Sequence, residues 1–164
     1  MVCRMIKEKG IEYVLEALPY IKEHGGFVLI IGRGDRYYKD LLQKYTREDG
    51  LLWLDTPAKV THLPSLLGGA DFYLSPSLYE SCGIMPLNAC RYGTIPITTL
   101  NGGLGDNLNE ENAIVIYDDI EPALQQAFEL YNNPLELAAK RKACMEWDFS
   151  WDTRKKGYMD LYDA

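Results

Sequence analysis

The stretch Phe27-Val28-Leu29-Ile30-Ile31-Gly32-Arg33-Gly34-Asp35 sets five consecutive apolar residues against a glycine-rich turn. A short unbroken apolar run suits a strand buried on both faces, the habit of parallel sheets. Before it, Ile11, Val14, Leu15, Leu18 and Ile21 recur at helical spacing until Gly25-Gly26 stops them. After it, the turn opens into a predicted helix over 37–47. The same strand-then-helix unit repeats outward. Strands are predicted at 51–54, 71–75, 94–98 and 113–117, and Met1-Val2-Cys3 reads as the tail of a first strand. Helices are predicted at 63–68, 83–92, 122–131 and 134–147, with a last one after Ser150-Trp151. Pro96 marks its strand as an edge or a bulge, because proline cannot donate to a ladder.

Alternating strands and helices imply right-handed crossovers and a parallel sheet covered on both faces. The expected fold class is α/β, a doubly wound six-stranded parallel sheet of Rossmann-like type with strand order 3-2-1-4-5-6. There is no internal repeat, low-complexity tract or linker, so residues 1–164 are expected to form one domain. In such sheets ligands bind outside the carboxyl ends of strands one and four, where the order reverses. The loops meeting there are 4–10 and 76–83.

Composition narrows the function. Hydrophobic residues make up 47% and charged residues 25%, ordinary for a water-soluble globular domain. The net charge of -7 repels phosphate backbones, which argues against nucleic-acid binding. Any phosphate site must then be a local exception. Cys3, Cys82, Cys90 and Cys144 are scattered, and with only His24 and His62 to join them a metal site is not expected. No apolar run approaches a membrane span and no signal peptide opens the chain, so the expected location is the cytoplasm.

The first switch-point loop carries Arg4, Lys7 and Lys9. It is either a solvated basic turn or a cationic clamp for phosphates, Arg as a forked donor and Lys as a point charge. The second carries Glu80, then Cys82, Gly83 and Ile84 at a predicted helix start, where free N–H groups and the helix dipole favour an anion. Glu80 itself suits sugar hydroxyls, or is simply a favourable charge at a helix start. Gly32 and Gly34 lack the third glycine of a dinucleotide fingerprint. The turn Asn101-Gly102-Gly103-Leu104-Gly105-Asp106 is a flexible loop or a source of N–H groups for a diphosphate. Neither histidine lies near a Ser or Cys that would make a nucleophilic triad.

Arg4-Met5-Ile6-Lys7-Glu8-Lys9-Gly10 resembles the R-x-x-x-x-K-G segment of bacterial glycogen synthases and plant starch synthases. Glu80-Ser81-Cys82-Gly83-Ile84 is similar to their E-P-C-G-L, and Arg91-Tyr92-Gly93-Thr94-Ile95-Pro96 to R-Y-G-T-x-P. Gly102-Gly103-Leu104-Gly105-Asp106 resembles G-G-L-x-D, Asp148-Phe149-Ser150-Trp151 resembles D-F-S-W, and Gly32-Arg33-Gly34-Asp35 resembles G-x-G-D. The ordered set spans essentially the whole chain.

The resemblance implies the C-terminal, nucleotide-sugar-binding half of a two-domain GT-B glycosyltransferase, with the N-terminal acceptor domain absent from this chain. It implies transfer of glucose from ADP-glucose or UDP-glucose to the nonreducing end of an α-1,4-glucan, with retention of configuration and without a metal or other cofactor. Arg4, Lys9 and Glu80 would be the catalytic residues, the two cations on the departing diphosphate and the carboxylate on glucose hydroxyls. Cys82, Gly83, Ile84, Gly32, Gly34, Gly102 and Gly103 would line the donor site. No nucleic-acid or membrane partner is implied. Ser81 departs from the family's proline and Met85-Pro86 from its polar pair. Asn88 stands where related retaining transferases carry a second Glu. The family's aromatic residue that stacks on the base has no clear match near Pro57 and Ala58. The alternatives are a related retaining sugar transferase with another acceptor and a non-catalytic nucleotide-binding α/β module.

Overall fold

The computed structural model describes residues 1–45, 49–57 and 62–162. Among them lie five parallel strands, arranged in two sheets. β1 (Val28–Ile31) pairs with β2 (Leu51–Leu54), Val28 opposite Leu51 and Ile31 opposite Leu54. β3 (Phe72–Ser75), β4 (Ile95–Thr98) and β5 (Ile114–Val115) form the second sheet in that order. Ile30, Leu51, Ile95, Ile97 and Ile114 are buried, as continuous apolar runs demand.

The single six-stranded sheet of the sequence reading is not formed. Met1 to Cys3 runs parallel to β1 through an isolated bridge between Val2 and Ile31. The Cys3 N–H donates to the Ile31 carbonyl at 3.1 Å, and the Ile31 N–H to the Met1 carbonyl at 3.0 Å. Toward β3, however, Val2 meets a side chain. Its N–H donates to the Tyr73 hydroxyl at 3.2 Å, and that hydroxyl donates back to the Val2 carbonyl at 2.7 Å. Burial raises the Tyr73 phenol far above its ordinary value, so it keeps its proton. A buried hydroxyl thus satisfies the polar groups that a paired strand would offer its neighbour, and the ladder breaks there.

Eight α-helices surround the strands among the described residues: α1 (Ile11–Glu16), α2 (Leu18–Glu23), α3 (Arg36–Leu42), α4 (Leu63–Gly68), α5 (Ile84–Arg91), α6 (Ile120–Tyr131), α7 (Pro134–Glu146) and α8 (Trp151–Tyr162). The sequence reading has one helix where α1 and α2 stand. Pro19 in the first turn of α2 lacks an N–H and crowds the preceding turn, which separates them at Ala17. The helix predicted over 37–47 ends at Leu42, and Arg47 lies outside the described residues. Asp119 and Asn133 cap α6 and α7 by accepting the N–H groups of Glu121 and Glu136.

Pro96 is neither at an edge nor in a bulge. It faces Tyr73 across the pairing of β3 with β4, in the middle strand of its sheet. Proline is tolerated because pairing with β5 begins one residue later, at Ile97 opposite Ile114, so its missing N–H falls outside that ladder. Just ahead of β5, the Asn112 carbonyl accepts the thiols of Cys90 at 3.7 Å and Cys144 at 3.1 Å. Both thiols are fully buried, which ties the end of α5 to α7.

One apolar core runs beneath both sheets, from Ile11 and Val14 through Ile30 and Ile97 to Leu124 and Cys144. Ile30 is 0% exposed within it. Ile30→Ala is expected to cost about 3 kcal/mol through lost burial and an unfilled cavity, measured by urea unfolding.

Candidate functional site

The two switch-point loops are clipped together by backbone. A 3-10 turn over Lys7–Lys9 presents the Glu8 carbonyl, which accepts the N–H groups of Leu78 at 2.9 Å and Tyr79 at 3.5 Å. Gly10 then turns with φ 63°, and a Cβ there would lie 2.0 Å from the Pro76 carbonyl oxygen. Only glycine permits both the left-handed turn and that approach. The loops enclose a cavity of about 290 Å³ whose walls include Arg4, Lys9, Ser77, Glu80, Gly83 and Ile84.

Inside it Lys9 Nζ donates to Glu80 Oε2 in a half-buried ion pair. Burial alone would raise the Glu80 carboxyl. The hydrogen bond and charge of Lys9, with the N–H groups of Cys82 and Gly83, outweigh burial and hold it below its ordinary value. Glu80 therefore stays ionised. Gly83 precedes α5 in the left-handed region at φ 79°, and a Cβ there would meet Leu104 Cδ2 at 2.3 Å. The first turn of α5, beginning at Ile84, directs its free N–H groups and positive dipole end toward the same side. Arg4 is exposed at the mouth and forms no ion pair among the described residues.

The structure therefore brings Arg4, Lys9, Glu80, Cys82, Gly83 and Ile84 to one cavity. It does not place the other four glycines on that wall. A Cβ on Gly32 would meet the Cys3 carbonyl oxygen at 1.8 Å, and one on Gly34 the Met5 carbonyl oxygen at 2.1 Å. Those two seat the basic loop against the end of β1. Gly102 and Gly103 stand behind Glu80: the Gly103 N–H donates to the Glu80 carbonyl at 2.8 Å, and a Cβ on Gly102 would lie 2.2 Å from that same oxygen. Tyr73, Ser75 and Ser77 also line it without having been singled out in the sequence, and so do Met85 and Pro86, noted there only as a departure from the family's polar pair. The small polar pair flanking Pro76 right after a strand is the signal that would have found the serines. Ser77 is buried, with its carbonyl held by Thr99 Oγ1 at 2.6 Å and Asn101 Nδ2 at 3.2 Å.

Chemically the cavity pairs cations and N–H donors for an anion with one ionised acceptor for hydroxyl groups. Burial pushes the Cys3 thiol in its wall up to about 11, so it offers no thiolate nucleophile at neutral pH. No cluster of three metal-ligating side chains occurs among the described residues, and no helix there is long and apolar enough to cross a membrane.

The Glu80 interactions carry a pH signature. Its folded value lies below the ordinary 4.5, so its stabilisation is present above that pH and is lost as pH falls through the folded value. Glu80→Gln is expected to lower stability at neutral pH, and the gap from the parent chain should narrow as pH falls below 4.5 in urea unfolding. A gap that does not change with pH would show that the ionised carboxylate is not what stabilises the loops.

Comparison with known proteins places this geometry. Residues 1–143 match the family described as Glycosyl transferases group 1. A glycogen synthase of Erwinia tasmaniensis is 31% identical over 177 residues, an alignment covering 99% of this chain and 37% of that protein. The chain thus spans a little over a third of the curated relative's length. The catalytic domain of starch synthase IV from Arabidopsis thaliana, solved with ADP and acarbose, superposes with a TM-score of 0.82 at 23% identity, over 99% of this chain and 37% of that one. The C-terminal domain of a glycosyl transferase group 1 family protein (LpcC) from Francisella tularensis superposes with a TM-score of 0.75 at 16% identity, over 89% of this chain and 81% of that one. These likenesses confirm the α/β, Rossmann-like fold, and the match over residues 1–143 makes the chain a member of the group 1 glycosyl transferases.

Proposed function

We propose that the chain is the nucleotide-sugar-binding C-terminal domain of a retaining glucosyltransferase of glycogen or starch synthase type. Its donor is ADP-glucose or UDP-glucose, and its acceptor is the nonreducing end of an α-1,4-glucan held by a second domain. The observation that carries the reading is the half-buried Lys9–Glu80 pair in a cavity that also contains Arg4 and the start of α5. Two cations and the α5 N–H groups suit a diphosphate, and the ionised carboxylate suits sugar hydroxyls. The 31% identity to a glycogen synthase favours the glucan acceptor over another one.

In this reading Arg4 and Lys9 act on the leaving group. As the bond from glucose C1 to the diphosphate breaks, negative charge grows on the phosphate oxygens, and fixed cations stabilise that growth most. The Lys9 ammonium has three donors, so it can hold Glu80 and still reach a phosphate. Glu80 orients the glucose by accepting hydroxyl protons. Gly83 and Ile84 keep backbone close to the ligand. Gly32, Gly34, Gly102 and Gly103 act through the loops they seat.

The ADP of the starch synthase structure supports an adenine donor, and UDP is the alternative to be measured. Calorimetric titration of the 164-residue chain should show binding of a nucleoside diphosphate, weakened about tenfold or more by Arg4→Ala through loss of a charge-assisted bond. Unchanged binding by that variant removes Arg4 from the phosphate site. The chain alone is expected to bind donor without transferring glucose, because transition-state binding needs both walls of the cleft. Turnover by the isolated chain at the rate of a two-domain synthase would overturn the domain assignment.

A further inference from the structure

Behind the wall that carries Glu80 lies a loop containing Gly102, Gly103 and Gly105. Glycine has the widest backbone freedom of any residue, so a loop rich in it needs outside support to keep one shape. The loop reaches Glu80 through the Gly103 N–H, which donates to the Glu80 carbonyl at 2.8 Å. Next to it the fully buried Leu104 fills the space against Gly83, where a Cβ would meet Leu104 Cδ2 at 2.3 Å. A rotation about Gly103 would disturb the Glu80 backbone and the Gly83 turn together.

The carbonyl side of Gly103 is fixed by side chains. Asn107 Nδ2 donates to the Gly103 carbonyl at 2.7 Å. The Asn107 carbonyl in turn accepts Asn112 Nδ2 at 3.1 Å. Asn112 is 0% exposed, and its Oδ1 accepts the Asn109 N–H at 2.9 Å, so both ends of its amide are paired. Its carbonyl accepts the buried thiols of Cys90 and Cys144. Hydrogen bonds in series thus run from the thiols through Asn112, Asn107 and Gly103 to Glu80. Each residue along the way donates forward and accepts from behind, an arrangement in which the bonds polarise one another. Neither asparagine lines the cavity, yet both are buried and both commit their amides to this loop.

We propose that Asn107 and Asn112 are positioning residues for Glu80. The Asn112 amide orients Asn107, and the Asn107 amide fixes Gly103. The Gly103 N–H then holds the Glu80 backbone where its carboxylate meets Lys9 and the N–H groups of Cys82 and Gly83. The consequence for sugar binding rests on the reading of Glu80 as the acceptor for sugar hydroxyls. The consequence for the carboxylate itself does not.

The carboxylate is therefore the readout. Carboxyl-carbon NMR of Glu80 in the free 164-residue chain follows its titration, whose midpoint lies below 4.5 in the parent. Asn107→Ala should raise that midpoint toward the ordinary value, lowering the acid dissociation constant about twofold or more. Asn112→Ser, which loses the donor to Asn107, should move it the same way. Asn107→Ser keeps a polar side chain without the amide, and stands in should the alanine variant not fold. Ile30→Val, which costs stability in the core of β1, should leave the titration unmoved. A folded Asn107→Ala chain that titrates Glu80 as the parent does would overturn the proposal. So would an equal shift in Ile30→Val, because lost stability alone would then explain it. The sugar reading is tested apart, by calorimetry with ADP and ADP-glucose. Asn107→Ala should weaken ADP-glucose about threefold or more and leave ADP within about twofold. A parent chain that binds both equally would remove the sugar role of Glu80, while the titration still decides the positioning.

Discussion

Lys9 and Glu80 are 71 positions apart, yet a single carbonyl decides that they meet. When the Glu8 oxygen accepts the Leu78 and Tyr79 N–H groups, the loop after the Met1 to Cys3 segment and the loop after β3 become one wall. Everything at the cavity follows from that clip. Gly10 allows the closeness, Gly32 and Gly34 press the first loop onto β1, and Gly102 and Gly103 press the second from behind. None of these glycines needs to touch a ligand to matter. Each removes a methyl-sized obstacle between two pieces of backbone.

Behind the wall, α5 serves as a rod fixed at its far end. Its start faces the cavity, while Cys90 near its finish shares the Asn112 carbonyl with Cys144 of α7. Just beyond, Arg91 Nη1 donates to the Met145 carbonyl at 2.9 Å. Hydrogen bonding to Cys144 and burial keep the Cys90 thiol protonated, so the pair acts as packing with a polar edge rather than as reactive sulfur. A helix held at its C-terminal end delivers its N-terminal N–H groups to a fixed place.

Much of this was legible in the sequence, and the reasons differ by element. Runs such as Phe27 to Ile31 and the apolar 95–98 strand declare themselves because burial on both faces leaves no room for polar residues. The switch-point rule then brings the loops of Arg4, Lys9 and Glu80 side by side, since topology alone sets them together. What stayed hidden depends on groups that every residue carries. The Glu8 carbonyl bonds and the start of pairing with β5 just after Pro96 are backbone facts with no compositional trace. Pro96 misled because proline forbids a donor only where a donor is required. The division into two sheets was likewise invisible, because a parallel run reads the same whether or not its neighbour is complete.

The setting of Glu80 has a consequence for selectivity. A carboxylate offers about four lone-pair directions. Lys9 occupies one of them, and the N–H groups of Cys82 and Gly83 draw on the same carboxylate. The directions left open are those facing away from these three groups. A hydroxyl entering the cavity has to approach from that side. Inverting a ring carbon would swing its hydroxyl away, so the crowding of this carboxylate would favour one stereochemistry over another.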